Sequence, residues 1–184
     1  IHVSKEYEIA IETALGGSIS NIVTDNEQTA KSMIQFLKKN RFGRATFLPL
    51  TSIRGRRAEN ADRICGEEGV IGLASDLIRV DSQFGHLADY LLGRVFIVDH
   101  IDHALALAKK YRYSLRIVTL EGESLNPGGS LSGGAYKNTG NLLGRHREME
   151  ELQKHVETLR KEGASLKQQI NQLQPDKDSN KAAM

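Results

Sequence analysis

Short apolar runs alternate with stretches of helical spacing over roughly the first two thirds of the chain. Ile22-Val23 and Val95-Phe96-Ile97-Val98 are near-continuous apolar runs, the pattern of strands in a sheet core. Ala30, Met33, Ile34 and Leu37 recur at three- and four-residue steps, the pattern of one helix face. These periods predict strands at about 1–3, 19–24 and 44–48, with helices at about 6–15 and 26–40. Asp25 or Asn26 is the natural cap of the second helix. The same order returns downstream, with strands at about 76–80, 94–98 and 115–120 and helices at about 83–92 and 101–112.

The recurrence extends to individual residues. Ile1–Tyr7 aligns with Ile78–Phe84, Ala14-Leu15-Gly16 with Leu91-Leu92-Gly93, and Lys38–Phe42 with Lys109–Tyr113. Arg44–Leu48 aligns with Arg116–Leu120. Shared order of elements and residues predicts a duplicated α/β (α+β) fold. Lobe I would span 1–50, an inter-lobe connection 51–72 and lobe II 73–141.

After Leu143 the period changes. Met149, Leu152, Val156, Leu159, Gly163, Leu166, Ile170 and Leu173 alternate steps of three and four, the seam of a coiled coil. Charges of both signs fill the other faces, and Gly163 weakens the seam. The spacing predicts a coiled-coil arm over 142–174, ended by Pro175 and followed by a tail over 175–184. Such a seam needs a partner helix, and the rest of the chain offers none.

Composition narrows the function. Lys and Arg number 25 against 23 Asp and Glu, so any nucleic-acid contact must come from local clustering. The single cysteine, Cys65, excludes an internal disulfide or a multi-cysteine metal site and reads as a small buried or loop thiol. No apolar run is long enough to span a bilayer, and no signal peptide opens the chain, so a cytoplasmic location is expected. Ile1-His2-Val3 begins inside an apparent strand without a preceding Met, which predicts a piece of something longer.

Asn126–Ala135 carries two glycine pairs, Gly128-Gly129 and Gly133-Gly134, around Ser130-Leu131-Ser132. The segment lacks the Lys-Ser/Thr ending of a phosphate loop. Glycine pairs flanking a short strand predict either a sharp bend or close approach of another backbone, and a neighbouring subunit would qualify. Arg54, Arg56 and Arg57 form a basic loop, and Lys137, Arg145 and Arg147 cluster near the root of the arm. Both are candidate DNA contacts, although Glu59, Asp62, Glu67 and Glu68 follow the first at once. His100 and His103 beside Asp99 and Asp102 imitate a metal site, but a helix start capped by Asp99 explains them better. No metal, cofactor or catalytic residue is assigned, and no frame of nucleophile, base and acid is present.

Gly128–Gly134, Asn141-Leu142-Leu143-Gly144-Arg145 and the following heptads together resemble the hinge domain of bacterial structural maintenance of chromosomes (SMC) ATPases. Tyr7–Gly17 and Arg44–Leu50 carry the same likeness, which covers residues 1 to about 174. The resemblance implies two similar lobes, a two-fold toroidal homodimer, and arms that pair as antiparallel coils leading to distant ATPase heads. It places Gly128, Gly129, Gly133 and Gly134 at the dimer contact, with Leu131 between them. It also implies a non-catalytic role in chromosome condensation and segregation on the nucleoid, ATP being bound elsewhere in the full-length protein. The partner helix of the arm would precede Ile1. The alternative is a nucleic-acid-binding domain whose dimerisation is secondary.

Overall fold

The structure is a computed structural model that describes residues 1–134 and 142–182. It divides into two compact units, Ile1–Leu143 and Gly144–Met184.

The first unit opens with β1 (His2–Val3), a 3-10 turn at Lys5–Tyr7 and α1 (Glu8–Leu15). A second 3-10 turn, Gly16–Ser20, leads into β2 (Ile22–Thr24), α2 (Glu27–Lys39) and β3 (Phe47–Pro49). The connection contributes α3 (Ala61–Cys65) and β4 (Val70–Leu73). The opening succession then repeats as β5 (Ile78–Arg79), a 3-10 turn at Ser82–Phe84, α4 (Gly85–Leu92), β6 (Val95–Val98), α5 (Ile101–Lys110) and β7 (Arg116–Thr119). The hairpin strands β8 (Ser124–Leu125) and β9 (Leu131–Ser132) follow.

The duplication is therefore physical. β2 pairs with β3 in parallel, as β6 does with β7. β1 and β5 pair antiparallel with His2 opposite Arg79, its own counterpart in the sequence repeat, which puts a local two-fold between the halves.

The halves do not close separately. Ala10, Ile11, Ala14 and Leu15 of α1 pack with Leu92, Val95, Ile97 and Val118 of the second half. The Arg116 guanidinium reaches across and donates to the Ala14 carbonyl at 2.8 Å. A second cluster joins Phe96, Val98 and Ile117 to Ala104, Leu107 and Ala108 of α5, Ile64 of α3 and Leu125 of β8.

The lobes differ in how completely each sheet is covered. The second has the order β4-β6-β7-β8-β9, whereas β2 and β3 form a two-stranded sheet. Every residue of β6 is buried between two neighbours. Ile22 and Val23, core residues by their pattern, are each 41% exposed because among the described residues β2 is paired on one edge only. For the same reason Met33, Ile34 and Phe36 of α2 are exposed where Ala104, Leu107 and Ala108 of α5 are covered.

Two local expectations meet the structure differently. Asn26 caps α2, its side-chain oxygen accepting the Thr29 amide at 2.9 Å. At α5 the capping position is His100 rather than Asp99. Asp99 stands one residue earlier, and its Oδ1 accepts the His100 amide at 2.6 Å and His103 Nδ1 at 2.7 Å.

The second unit is the body of one helix, α6 (Leu142–Ala182). It continues past Pro175, where the sequence pattern ends it. Proline's fixed φ fits a helix, although in a helix interior it removes one donor from the ladder and its ring crowds the carbonyl four residues back. Among the described residues no helix is long and apolar enough to cross a membrane.

Candidate functional site

The glycine-rich segment is the turn and outer strand of the β8–β9 hairpin. Asn126 and Ser130 close it, Asn126 N donating to the Ser130 carbonyl at 2.9 Å. Gly129 N donates to the Asn126 carbonyl at 3.0 Å, which makes Asn126–Gly129 a four-residue turn. Pro127 sits second and Gly128 third with φ +89°, the arrangement a type II turn demands. The Gly128 amide also donates to the Tyr113 carbonyl at 2.9 Å, and the Tyr113 ring lies 3.6 Å from where a Gly129 Cβ would stand.

Gly133 is required by its own chain, since a Cβ there would come within 2.8 Å of Glu123 Cγ. Gly134 has φ +145° and faces open space. All four glycines thus have reasons within their own chain, Gly128, Gly129 and Gly134 by their positive φ of +89°, +91° and +145° and Gly133 by the approach of Glu123. Among the described residues β9 bonds only to β8, which leaves its outer edge unpaired with Leu131 53% exposed on it. Among the described residues β3 likewise bonds only to β2.

Between the end of α2 and the turn that enters β3 lies a groove of about 390 Å³ lined by the apolar Ile34, Leu37 and Phe42 and by Lys38, Arg41 and Arg44. The internal two-fold explains why it is open. In the second lobe the corresponding side of α5 is covered by Leu125 of the hairpin, and Tyr113, the counterpart of Phe42, contacts Gly129. The first lobe has no hairpin after β3.

The basic loop is mostly structural. Arg57 pairs with both carboxylate oxygens of Asp76 at 2.6 and 2.7 Å and reaches Asp89 at 3.5 Å. The Asp76 hydrogen bonds push its already high pKa further up. Arg54 donates to the Thr51 carbonyl at 3.2 Å. Ala58 N donates to the Gly93 carbonyl at 2.7 Å, and a Cβ on Gly93 would meet the Arg56 carbonyl at 2.8 Å. The segment is a strap laid against the end of α4, and Arg57 is one of its fasteners. Arg145 is exposed on α6, the Arg147 side chain is outside the described set, and Lys137 lies outside the described residues.

The sequence reading passed over a larger cationic surface. Residues 28–58 hold eight Lys and Arg and no acid, so a simple window count reveals it. Lys31, Lys38, Lys39, Arg41 and Arg44 are all exposed and make no ion pair among the described residues.

Asp99 and His103 form an ion pair that lowers the carboxyl pKa and raises that of the imidazole, the shared hydrogen bond being the main cause of both. Among the described residues no three His, Cys, Asp or Glu converge as a metal site. Cys65 is half-buried, and desolvation raises its thiol pKa. On α6 the seam residues Met149, Leu152, Val156, Leu159, Leu166 and Ile170 are exposed. The Leu173 side chain lies outside the described set.

Comparison with known proteins gives concordant results. The family model described as SMC proteins flexible hinge domain matches residues 1–108. The chain is 41% identical over 179 residues to the chromosome partition protein Smc of Clostridium kluyveri, covering 97% of this chain. It is 44% identical over 176 residues to the Smc protein of Bacillus subtilis, covering 94%. It spans 15% of the length of each of these relatives. Its fold is similar to an asymmetric dimer of the Geobacillus stearothermophilus SMC hinge domain, at TM-score 0.81 and 37% identity over 95% of this chain and 71% of that one. The Pyrococcus furiosus SMC hinge domain is similar at TM-score 0.62 and 31% identity, over 76% of this chain and 70% of that one.

Proposed function

Because the chain belongs to the SMC flexible-hinge family, we propose that it joins two copies of a chromosome-partition protein at their hinges. The observation that carries this reading is the pair of unfinished edges. Among the described residues β9 ends the second sheet with Leu131 exposed and β3 bonds only to β2, and a groove opens between α2 and the turn entering β3. In a two-fold arrangement, β9 of each copy adds to β3 of the other, the backbone setting register and Leu131 entering the Ile34–Phe42 groove. Gly128, Gly129, Gly133 and Gly134 shape the strand that docks. Each contact then supplies the first lobe with the hairpin that the second lobe carries itself.

In the longer protein the two lobes and their connection form the hinge, and the seam of α6 is taken by a second helix of the same arm. The role is mechanical, in chromosome segregation on the nucleoid in the cytoplasm, with ATP chemistry in other parts of that protein. A second reading, a domain for which DNA is the primary ligand, draws on Arg54, Arg56 and Arg145 and on the acid-free cationic stretch.

Light scattering across a concentration series tests the assignment. A dimer mass that persists in high salt supports it, and a monomer at every concentration overturns it. Tight oligonucleotide binding by such a monomer would favour the second reading.

A further inference from the structure

The modest net charge of +2 conceals a sharp segregation. Residues 28–58 contribute eight positive charges and no negative one. All 23 acids lie elsewhere, against 17 remaining cations. The five exposed cations Lys31, Lys38, Lys39, Arg41 and Arg44 belong to α2 and to the turn entering β3. Three of them line the groove between α2 and the turn entering β3. On the other open edge the balance reverses. From Ile117 to Gly134 there is no cation, and Glu121 and Glu123 sit at the turn between β7 and β8. Glu123 lies against Gly133, directly beside β9.

From this complementarity we infer that the cationic face of the first lobe receives the acidic hairpin end of a second copy, and that this field steers the two together. The inference rests on the self-association reading and adds its kinetics. Exposed charges at the rim of an interface act mainly on the association rate, because they attract before contact and are rehydrated after it. Apolar and backbone contacts at the centre set the dissociation rate. A polyanion such as nucleic acid is the competing occupant of the same face, and the hairpin acids decide for a second copy. Glu123 lies beside β9, as Lys38, Arg41 and Arg44 line the groove at the turn entering β3.

The test uses energy transfer between pools of the chain labelled at the end of α6, mixed after dilution to monomers. Between about 0.01 and 0.15 M salt the screening length falls from about 30 to 8 Å. The association rate constant is expected to fall about tenfold or more over that range, with dissociation little changed. Lys38→Glu with Lys39→Glu should slow association at low salt, and adding Glu121→Lys should restore part of the rate. Rescue by the second change excludes misfolding as the cause of the first. A salt-independent rate with the dimer mass intact overturns the steering and leaves the self-association reading standing. A monomer at all concentrations overturns both. If the lysine reversals leave association unchanged and abolish binding of a thymidine oligonucleotide, the cationic face belongs to nucleic acid and the inference fails.

Discussion

Leu131→Ala is the cleanest perturbation of the proposed contact, because the side chain contributes little to the fold of its own copy. It lies on β9 with 53% of its surface exposed. Full burial of a leucine is worth about 1.5–3 kcal/mol, so about half of that, roughly 0.8–1.5 kcal/mol, remains to be gained when a partner covers it. A two-fold assembly contains the contact twice, which brings the loss to roughly 1.6–3 kcal/mol. At 1.4 kcal/mol per decade, the dimer dissociation constant should rise about 15- to 150-fold. Alanine retains the β carbon, which trims the loss, and the cavity left in the groove adds to it. Sedimentation equilibrium or light scattering over a dilution series reads the constant, and thermal melting of monomer at low concentration checks the fold. An unchanged dissociation constant with a native melting profile would refute the placement of Leu131 in the contact.

Other consequences follow from the geometry of single residues. Gly93→Ala drives a methyl into the Asp89 carbonyl at the end of α4 and into the Arg56 carbonyl of the strap, and should loosen the two from each other. The overpacking costs about 1–3 kcal/mol, or roughly 2–12 °C in melting temperature, and a variant that melts like the parent contradicts the strap. Gly128→Ala places a side chain at φ +89° in the hairpin turn and should destabilise the hairpin by about 1–2 kcal/mol, visible as faster amide exchange at Asn126 and Gly129. The Asp99–His103 pair raises the imidazole pKa above its ordinary 6.5, so its contribution is complete below that value and fades as pH rises through the higher folded-state pKa. Asp99 is shifted the other way, and its contribution fades as pH falls through its lowered pKa. His103→Gln should therefore melt below the parent near pH 6 and converge with it in alkaline buffer, and a gap that widens with pH would reverse the assignment.

The helices and strands of the two repeats and the duplication were legible in the sequence, because they depend on spacing along the chain. By contrast, α3 and most of β4 lie within 51–72, read as a connection, and β8 was not expected. Periods of two and of three to four residues determine which side of an element is apolar, and repetition of that order determined that the halves are alike. The Asn126-Pro127-Gly128-Gly129 tetrapeptide and the Asn26 cap are equally local, each satisfied within four residues of backbone. What the chain order could not express is which edges acquire neighbours. Ile22-Val23 reads like Val95-Phe96, yet the first pair is half-exposed and the second buried, since β4 flanks β6 and no described strand plays that part for β2. Arg57 looked like a free cation until folding brought Asp76 to it, across nineteen residues. The cationic stretch was countable from the start, but its meaning depended on Glu123 lying beside β9 and Arg44 beside the groove. Sequence determines the pattern each segment presents. Only the tertiary structure decides which pattern is already answered within the chain and which is left open, because burial and pairing are properties of neighbours distant in sequence.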